Sequence, residues 1–166
     1  SKLWNYGKST SEVMEELVNY CDLVVGNEED FDKVFGISPP DVDVTSGKVS
    51  AQNYEYVSKE FFKKYPNVSY IAITLRGSIS ATHNTWSGVL FDKNNMYAGP
   101  MFDLTYIVDR VGGGDSFNAG LIYGLYNDYE WNKSLKYAVA LASLTIKSNN
   151  TVCEKLNINL LNKLVV

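Results

Sequence analysis

Val108-Asp-Arg-Val-Gly-Gly-Gly-Asp-Ser-Phe-Asn-Ala-Gly120 is the stretch on which the reading of this chain turns. An extended pattern over 105–109 leads into three consecutive glycines, then an acid, then a helix with Phe117, Leu121 and Leu125 on one face. Residues without a Cβ let the backbone turn sharply and let a ligand approach it closely. The N–H groups of Gly112, Gly113 and Gly114 fall where the helix begins, and the helix dipole adds positive potential there. Such a turn binds anions, phosphate being the usual one. Asp115 closes it. A carboxylate beside a phosphate is repelled unless it has chemistry to perform. Accepting the proton of an attacking hydroxyl is such chemistry, worth on the order of 10²–10⁴-fold in rate. The plainer alternative is a glycine turn kept for geometry, with an aspartate favoured by the helix N-terminus. Two other phosphate motifs do not fit. No Gly-Lys-Ser/Thr ends the turn, and Phe117 occupies the third glycine position of G-x-G-x-x-G.

Working outward, helices and strands alternate. Ser9-Thr-Ser11 with Glu12 and Glu15 starts a helix whose apolar face is Val13, Leu17 and Tyr20. Residues 22–26 form a short apolar run suited to a buried parallel strand. Asn27-Glu-Glu-Asp30 is an acidic helix start, and 37–47, with its Pro pair, reads as loop. Tyr54, Val57, Phe61 and Tyr65 have helical spacing. A strand over 70–75 is stopped by Arg76-Gly77. Extended segments follow over 82–91 and 96–100, joined as a hairpin by the turn 92–95. Helices are expected over 114–126 and 131–147, the second carrying the small-residue run Ala138-Val-Ala-Leu-Ala-Ser-Leu144. The tail, 156–166, has no assignable pattern. The alternation predicts an α/β layered fold with a mainly parallel sheet, organised as one domain over 1–166.

Composition narrows the classes of function. The chain has 166 residues, 45% of them hydrophobic and 20% charged, as expected of a globular domain with a real core. A net charge of −4 and a pI near 5.0 speak against nucleic-acid and anionic-membrane surfaces, which need a basic face. No apolar run reaches the roughly 20 residues of a membrane span. No secretory pattern opens the sequence, so a cytoplasmic location is expected. Cys21 and Cys153 stand far apart outside any CxxC pair and read as two reduced thiols. His83, the single histidine, lies in a strand pattern and reads as a surface or packing residue. Histidine-based metal sites and Ser-His-Asp chemistry therefore have little to work with.

The motif at 109–117, Asp-Arg-Val-Gly-Gly-Gly-Asp-Ser-Phe, resembles the D-T-x-G-A-G-D-x-F signature of the ribokinase-like PfkB carbohydrate kinases. Arg after the first Asp and three glycines look most like the 2-keto-3-deoxygluconate (KDG) kinases of that family. The resemblance implies a ribokinase-like (Rossmann-like) three-layer α/β/α fold, ATP and Mg2+ as cofactors, and phosphoryl transfer to a sugar or sugar-acid hydroxyl. It implies Asp115 as catalytic base and Gly112, Gly113 and Gly114 as the anion hole. Asn27-Glu-Glu-Asp30 is similar to the family's N-x-x-E, with Asp30 in place of Glu, and implies Asn27 on the nucleotide side and Asp30 near the metal. An N-capped helix explains the same residues without a ligand. Thr74-Leu-Arg-Gly-Ser78 resembles the family's nucleotide loop. By that resemblance Thr74, Arg76 and Gly77 meet ATP, the guanidinium of Arg76 pairing with phosphate. The segment from Ser78 to Phe91, with Trp86-Ser-Gly88, also looks like the KDG kinase pattern.

The resemblance covers residues 1–147 and the second half of a family member; Leu3-Trp4 is similar to the segment after a KDG kinase's substrate arginine. The chain opens at Ser1 without methionine. It is therefore expected to be the C-terminal ATP-binding and catalytic portion, with the N-terminal half and lid absent, and inactive alone. The expected partners are ATP and a small sugar or sugar acid, with no nucleic acid or membrane, and a second copy of the chain. A fructokinase, ribokinase or nucleoside kinase of the same family is the alternative, as is a nucleotide- or sugar-binding regulator without turnover.

Overall fold

The computed structural model describes residues 7–39, 51–149 and 158–165. Leu3-Trp4, most of the loop expected over 37–47, and Cys153 lie outside them. Two compact units are present: Ser1–Ile73 with Phe91–Met96, and Thr74–Leu90 with Tyr97–Val166.

In the first unit, α1 (Thr10–Val18), β1 (Leu23–Asn27), α2 (Glu28–Phe35) and α3 (Ala51–Lys64) precede β2 (Tyr70–Ser80), which begins here beside β1. Ser9 caps α1 in a reciprocal box with Glu12: the Glu12 N–H donates to Ser9 Oγ at 3.2 Å, and the Ser9 N–H to Glu12 Oε2 at 2.6 Å. The buried residue of α1 is Val18, whereas Leu17 and Tyr20 are 52% and 84% exposed. The apolar face read from Val13, Leu17 and Tyr20 is thus misplaced, because the packing partner, not the spacing, sets which stripe is covered. In α3 the expected face holds, with Tyr54, Val57, Phe61 and Tyr65 all buried. Phe61 meets Phe31 and Phe35 edge-on, at ring-centroid distances of 5.2 and 4.9 Å, locking α3 onto α2.

In the second unit β2 continues through Arg76-Gly77 to Ser80 instead of stopping at 75. A turn at Ala81-Thr82 then returns the chain as β3 (His83–Asp92). So short a link permits only antiparallel neighbours. Pairing with β3 overrides the local break signal, since ladder hydrogen bonds along a hairpin outweigh the weak strand preference of one Gly. Residues 102–105 form β5, which pairs antiparallel with β3 in the register His83↔Thr105, Asn84↔Leu104, Thr85↔Asp103 and Trp86↔Phe102. The short β4 (Met96–Ala98) also borders β3. The pairing of β3 with β5 is antiparallel, as is that of β2 with β3 across its short turn. The expected turn at 92–95 is present, with Asp92 Oδ1 accepting from the N–H groups of Asn94 and Asn95 at 2.7 and 2.6 Å.

Two helices complete the unit's core: α4 (Gly113–Tyr126) and α5 (Trp131–Ile146). They approach closely because α4 presents Gly120 and Gly124. A Cβ on Gly120 would lie 2.7 Å from Ala138 Cα and from Tyr137 O, and one on Gly124 would lie 2.6 Å from Ser134 Cα. The small-residue run of α5 therefore packs helix against helix, and Ala138, Val139, Ala140 and Ala142 are fully buried. The tail that showed no pattern contains α6 (Ile158–Leu164), whose Leu161 is buried with Tyr137 and Ala140 of α5.

Candidate active site

The glycine turn is held from both sides. Asp109 Oδ1 accepts from the Val111 N–H at 3.0 Å, and the Gly113 N–H donates to Arg110 O at 3.2 Å. Gly112 is the N-cap of α4 and adopts φ 84°, a left-handed conformation that disfavours side chains. Gly113 is buried, and a Cβ there would lie 3.2 Å from Ile146 Cγ1. Gly114 differs from both: a Cβ built on it meets nothing within 4 Å. Ser116, one residue past the acid, is buried and hydrogen-bonded to Thr145 at 2.8 Å, which fixes the first turn of α4 to the last turn of α5.

That geometry leaves specific groups available. An N-cap glycine has no side chain to satisfy the first N–H groups of its helix. The Ser116 N–H closes onto Gly112 O at 2.9 Å. Among the described residues, nothing accepts from the N–H groups of Gly112, Gly114 and Asp115. The Asp115 side chain stands exposed in the same turn, with no hydrogen bond or ion pair to a described residue. Donors for an anion and a free carboxylate thus lie on adjacent residues, at the positive end of a 14-residue helix.

The strand β2 carries Thr74, Arg76 and Gly77 in the same unit. The Arg76 side chain is exposed and makes no hydrogen bond or ion pair to a described residue. Gly77 has a packing reason of its own, since a Cβ there would collide with the Thr85 hydroxyl of β3. At the hairpin's turn, Arg110 Nη2 donates to Ala81 O at 2.8 Å and to Asn84 Oδ1 at 3.3 Å. Sequence reading missed this link, because nothing local in the pattern tells an arginine to grip a carbonyl far upstream. His83 has the surface role expected of it, facing Asp103 across β3 and β5 with Nε2 and Oδ1 2.5 Å apart.

In the first unit, Asn27 and Asp30 form a capping box on α2. The Asp30 N–H donates to Asn27 Oδ1 at 3.0 Å, and the Asn27 N–H to Asp30 Oδ2 at 2.9 Å. Glu28 accepts from the Tyr54 hydroxyl at 2.9 Å, and Glu29 pairs with Lys33. Burial pushes the Tyr54 phenol far above its usual range, and the charge of Glu28 beside it adds to the shift. Among the described residues there is no cluster of three or more His, Cys, Asp or Glu able to enclose a metal. One oxygen of Asp30 remains outside the box. That suits Mg2+, which keeps several of its waters and leans on substrate phosphates rather than on a protein cage. Among the described residues no helix is long and apolar enough to cross a membrane.

Comparison with known proteins bears on the fold and on what the chain is similar to. Residues 86–155 match the pfkB family carbohydrate kinase model. A 5-dehydro-2-deoxygluconokinase of Geobacillus kaustophilus is 30% identical over 149 residues, covering 89% of this chain and 38% of the relative. The crystal structure of 2-dehydro-3-deoxygluconokinase from Thermotoga maritima superposes with a TM-score of 0.82 at 34% identity, over 94% of this chain and 44% of that one. Ribokinase of Arabidopsis thaliana, 19% identical with a TM-score of 0.60 over 90% of this chain and 42% of its own, shares the fold. The chain thus spans less than half the length of the relatives it matches. With the glycine turn, its aspartate and the hairpin in place, it resembles the pfkB family carbohydrate kinases over residues 86–155 and carries part of a ribokinase-like fold.

Proposed function

We propose that this chain supplies the nucleotide-binding and phosphoryl-transfer part of an ATP-dependent kinase acting on a hydroxyl of a deoxy-keto-gluconate. The observation that carries the reading is the exposed Asp115 carboxylate beside the unengaged N–H groups of Gly112, Gly114 and Asp115. Asp115 takes the proton of the acceptor hydroxyl as its oxygen bonds to the γ-phosphorus. The bond from that phosphorus to the β-phosphate bridge breaks, and ADP leaves. The turn of Gly112, Gly113 and Gly114 holds the charge that spreads over the phosphoryl oxygens during transfer. Thr74, Arg76 and Gly77 face the nucleotide, Arg76 as a phosphate partner. Asp30 would be the residue that holds Mg2+, which would supply positive charge for the phosphates.

Two isomeric acceptors compete. The Geobacillus relative bears the name of a 5-dehydro-2-deoxygluconokinase, while the Thermotoga structure is that of a 2-dehydro-3-deoxygluconokinase. KDG, the 2-dehydro isomer, is the acceptor that the Arg110 and three-glycine variant of the motif favours. ADP release by the complete protein with ATP and Mg2+ separates them, tested across both acids, fructose, ribose and adenosine. Preference for KDG is the expected result. Preference for another acceptor keeps Asp115 and the glycine turn and discards the substrate. Asp115→Asn is expected to lower turnover by about 10²–10⁴-fold with ATP binding nearly intact. Equal turnover in the two proteins removes Asp115 from its role.

A further inference from the structure

The geometry points to Arg110 as the positioning residue of the glycine turn, a latch that ties the turn to the β2–β3 hairpin. The inference rests on the proposed function for its catalytic consequence, though not for its structural one. Arg110 lies two residues before Gly112 and is exposed, so neither its charge nor its bulk is needed by a core. Its Nη2 nevertheless reaches back to Ala81 O and Asn84 Oδ1, at 2.8 and 3.3 Å. Ala81 occupies the turn that closes the strand bearing Thr74, Arg76 and Gly77. The Arg110 carbonyl meanwhile receives the Gly113 N–H at 3.2 Å. One residue therefore holds the turn by its backbone and the hairpin by its side chain.

Asn84 gives the second, independent observation. It is 2% exposed, its Nδ2 has no hydrogen-bond partner among the described residues, and Arg110 is the partner of its Oδ1. A buried amide with one end already unmatched is costly, and losing the other end adds to that cost. Asn84 is thus a fixed acceptor that Arg110 finds in one place, and a planar guanidinium presents its donors there at small entropic loss. Nearby, the Ile107 N–H donates to Thr82 O at 3.0 Å, so the segment entering the turn is moored to the same hairpin at two points. Misplacing donors by about 1 Å costs on the order of 10²-fold in transfer reactions. A latch on this turn therefore sets how well the N–H groups of Gly112, Gly114 and Asp115 meet a phosphoryl group.

The test compares Arg110→Ala and Arg110→Lys with wild type in the complete protein, by amide hydrogen exchange and by steady-state kinetics. For Arg110→Ala, faster exchange is expected over residues 111–116 with α5 exchange unchanged, together with a small fall in the thermal midpoint from the Asn84 Oδ1 left without a donor. Its kcat with ATP and the best acceptor should fall by about 10–100-fold. Arg110→Lys, which keeps a donor for Ala81 O, should recover part of both effects, which a purely structural role would not produce. Unchanged exchange over 111–116 in Arg110→Ala overturns the latch. So does a loss of activity without a change in exchange, because Arg110 would then act on the ligand directly. If wild type transfers no phosphoryl group to any acceptor, the proposed function fails while the exchange arm still decides the latch.

Discussion

At the scale of single residues, the three glycines of the turn do three different things. Gly112 adopts a left-handed backbone, Gly113 fits against Ile146, and Gly114 faces open space. Only the first two are required by the fold itself. Ala at 114 would meet no protein atom, and within a helix Ala is favoured over Gly by up to about 1 kcal/mol. Gly114→Ala is therefore expected to hold or raise the thermal midpoint while weakening ATP binding and turnover. Calorimetric titration alongside thermal unfolding reads both. Unaltered nucleotide affinity in a folded Gly114→Ala protein would mean that the open space is not where phosphate lies.

At the scale of elements, the α4–α5 pair depends on how near two backbones come. A methyl group at 120 would press on Ala138 Cα and Tyr137 O, which are backbone atoms with little room to yield. Gly120→Ala should cost roughly 1–3 kcal/mol, as overpacking does, and denaturant unfolding measures it. On the other unit, Lys64 and Tyr65 tie the end of α3 to Glu15 of α1, with contacts of 2.6 and 3.1 Å. The hydrogen bond from Lys64, then that from Tyr65, holds the Glu15 carboxyl below its ordinary value. A depressed carboxyl stabilises the fold above its unfolded pKa and loses that contribution as pH falls through the folded one. Glu15→Gln should thus lower the thermal midpoint at pH 7, with the gap to wild type closing as the pH is lowered past that carboxyl. A gap independent of pH would assign the effect to packing. The contact is exposed, so the effect is small.

At the scale of the whole molecule, the chain spans 38% of the Geobacillus relative and 44% of the Thermotoga structure. Placing an acceptor and excluding water take surfaces beyond one glycine turn. Residues 1–166 expressed alone are expected to release no ADP above background with any sugar acid, and a coupled assay checks this. What could be read from the sequence by itself is what rests on neighbours along the chain. Tyr54, Val57, Phe61 and Tyr65 announce the covered face of α3 because 3.6-residue spacing is local, and Asn27 with Asp30 announces a cap for the same reason. Gly112 to Asp115 announces a glycine turn closed by an acid at a helix start, because a missing Cβ and a helix start are local too. The sequence could not say how far β2 runs, since that depends on pairing with β3. Nor could it say which stripe of α1 is buried, or that Gly120 serves helix packing. The grip of Arg110 on Ala81 and Asn84 belongs with these. Each is settled by a partner remote in sequence, and only folding brings such partners within a few ångströms.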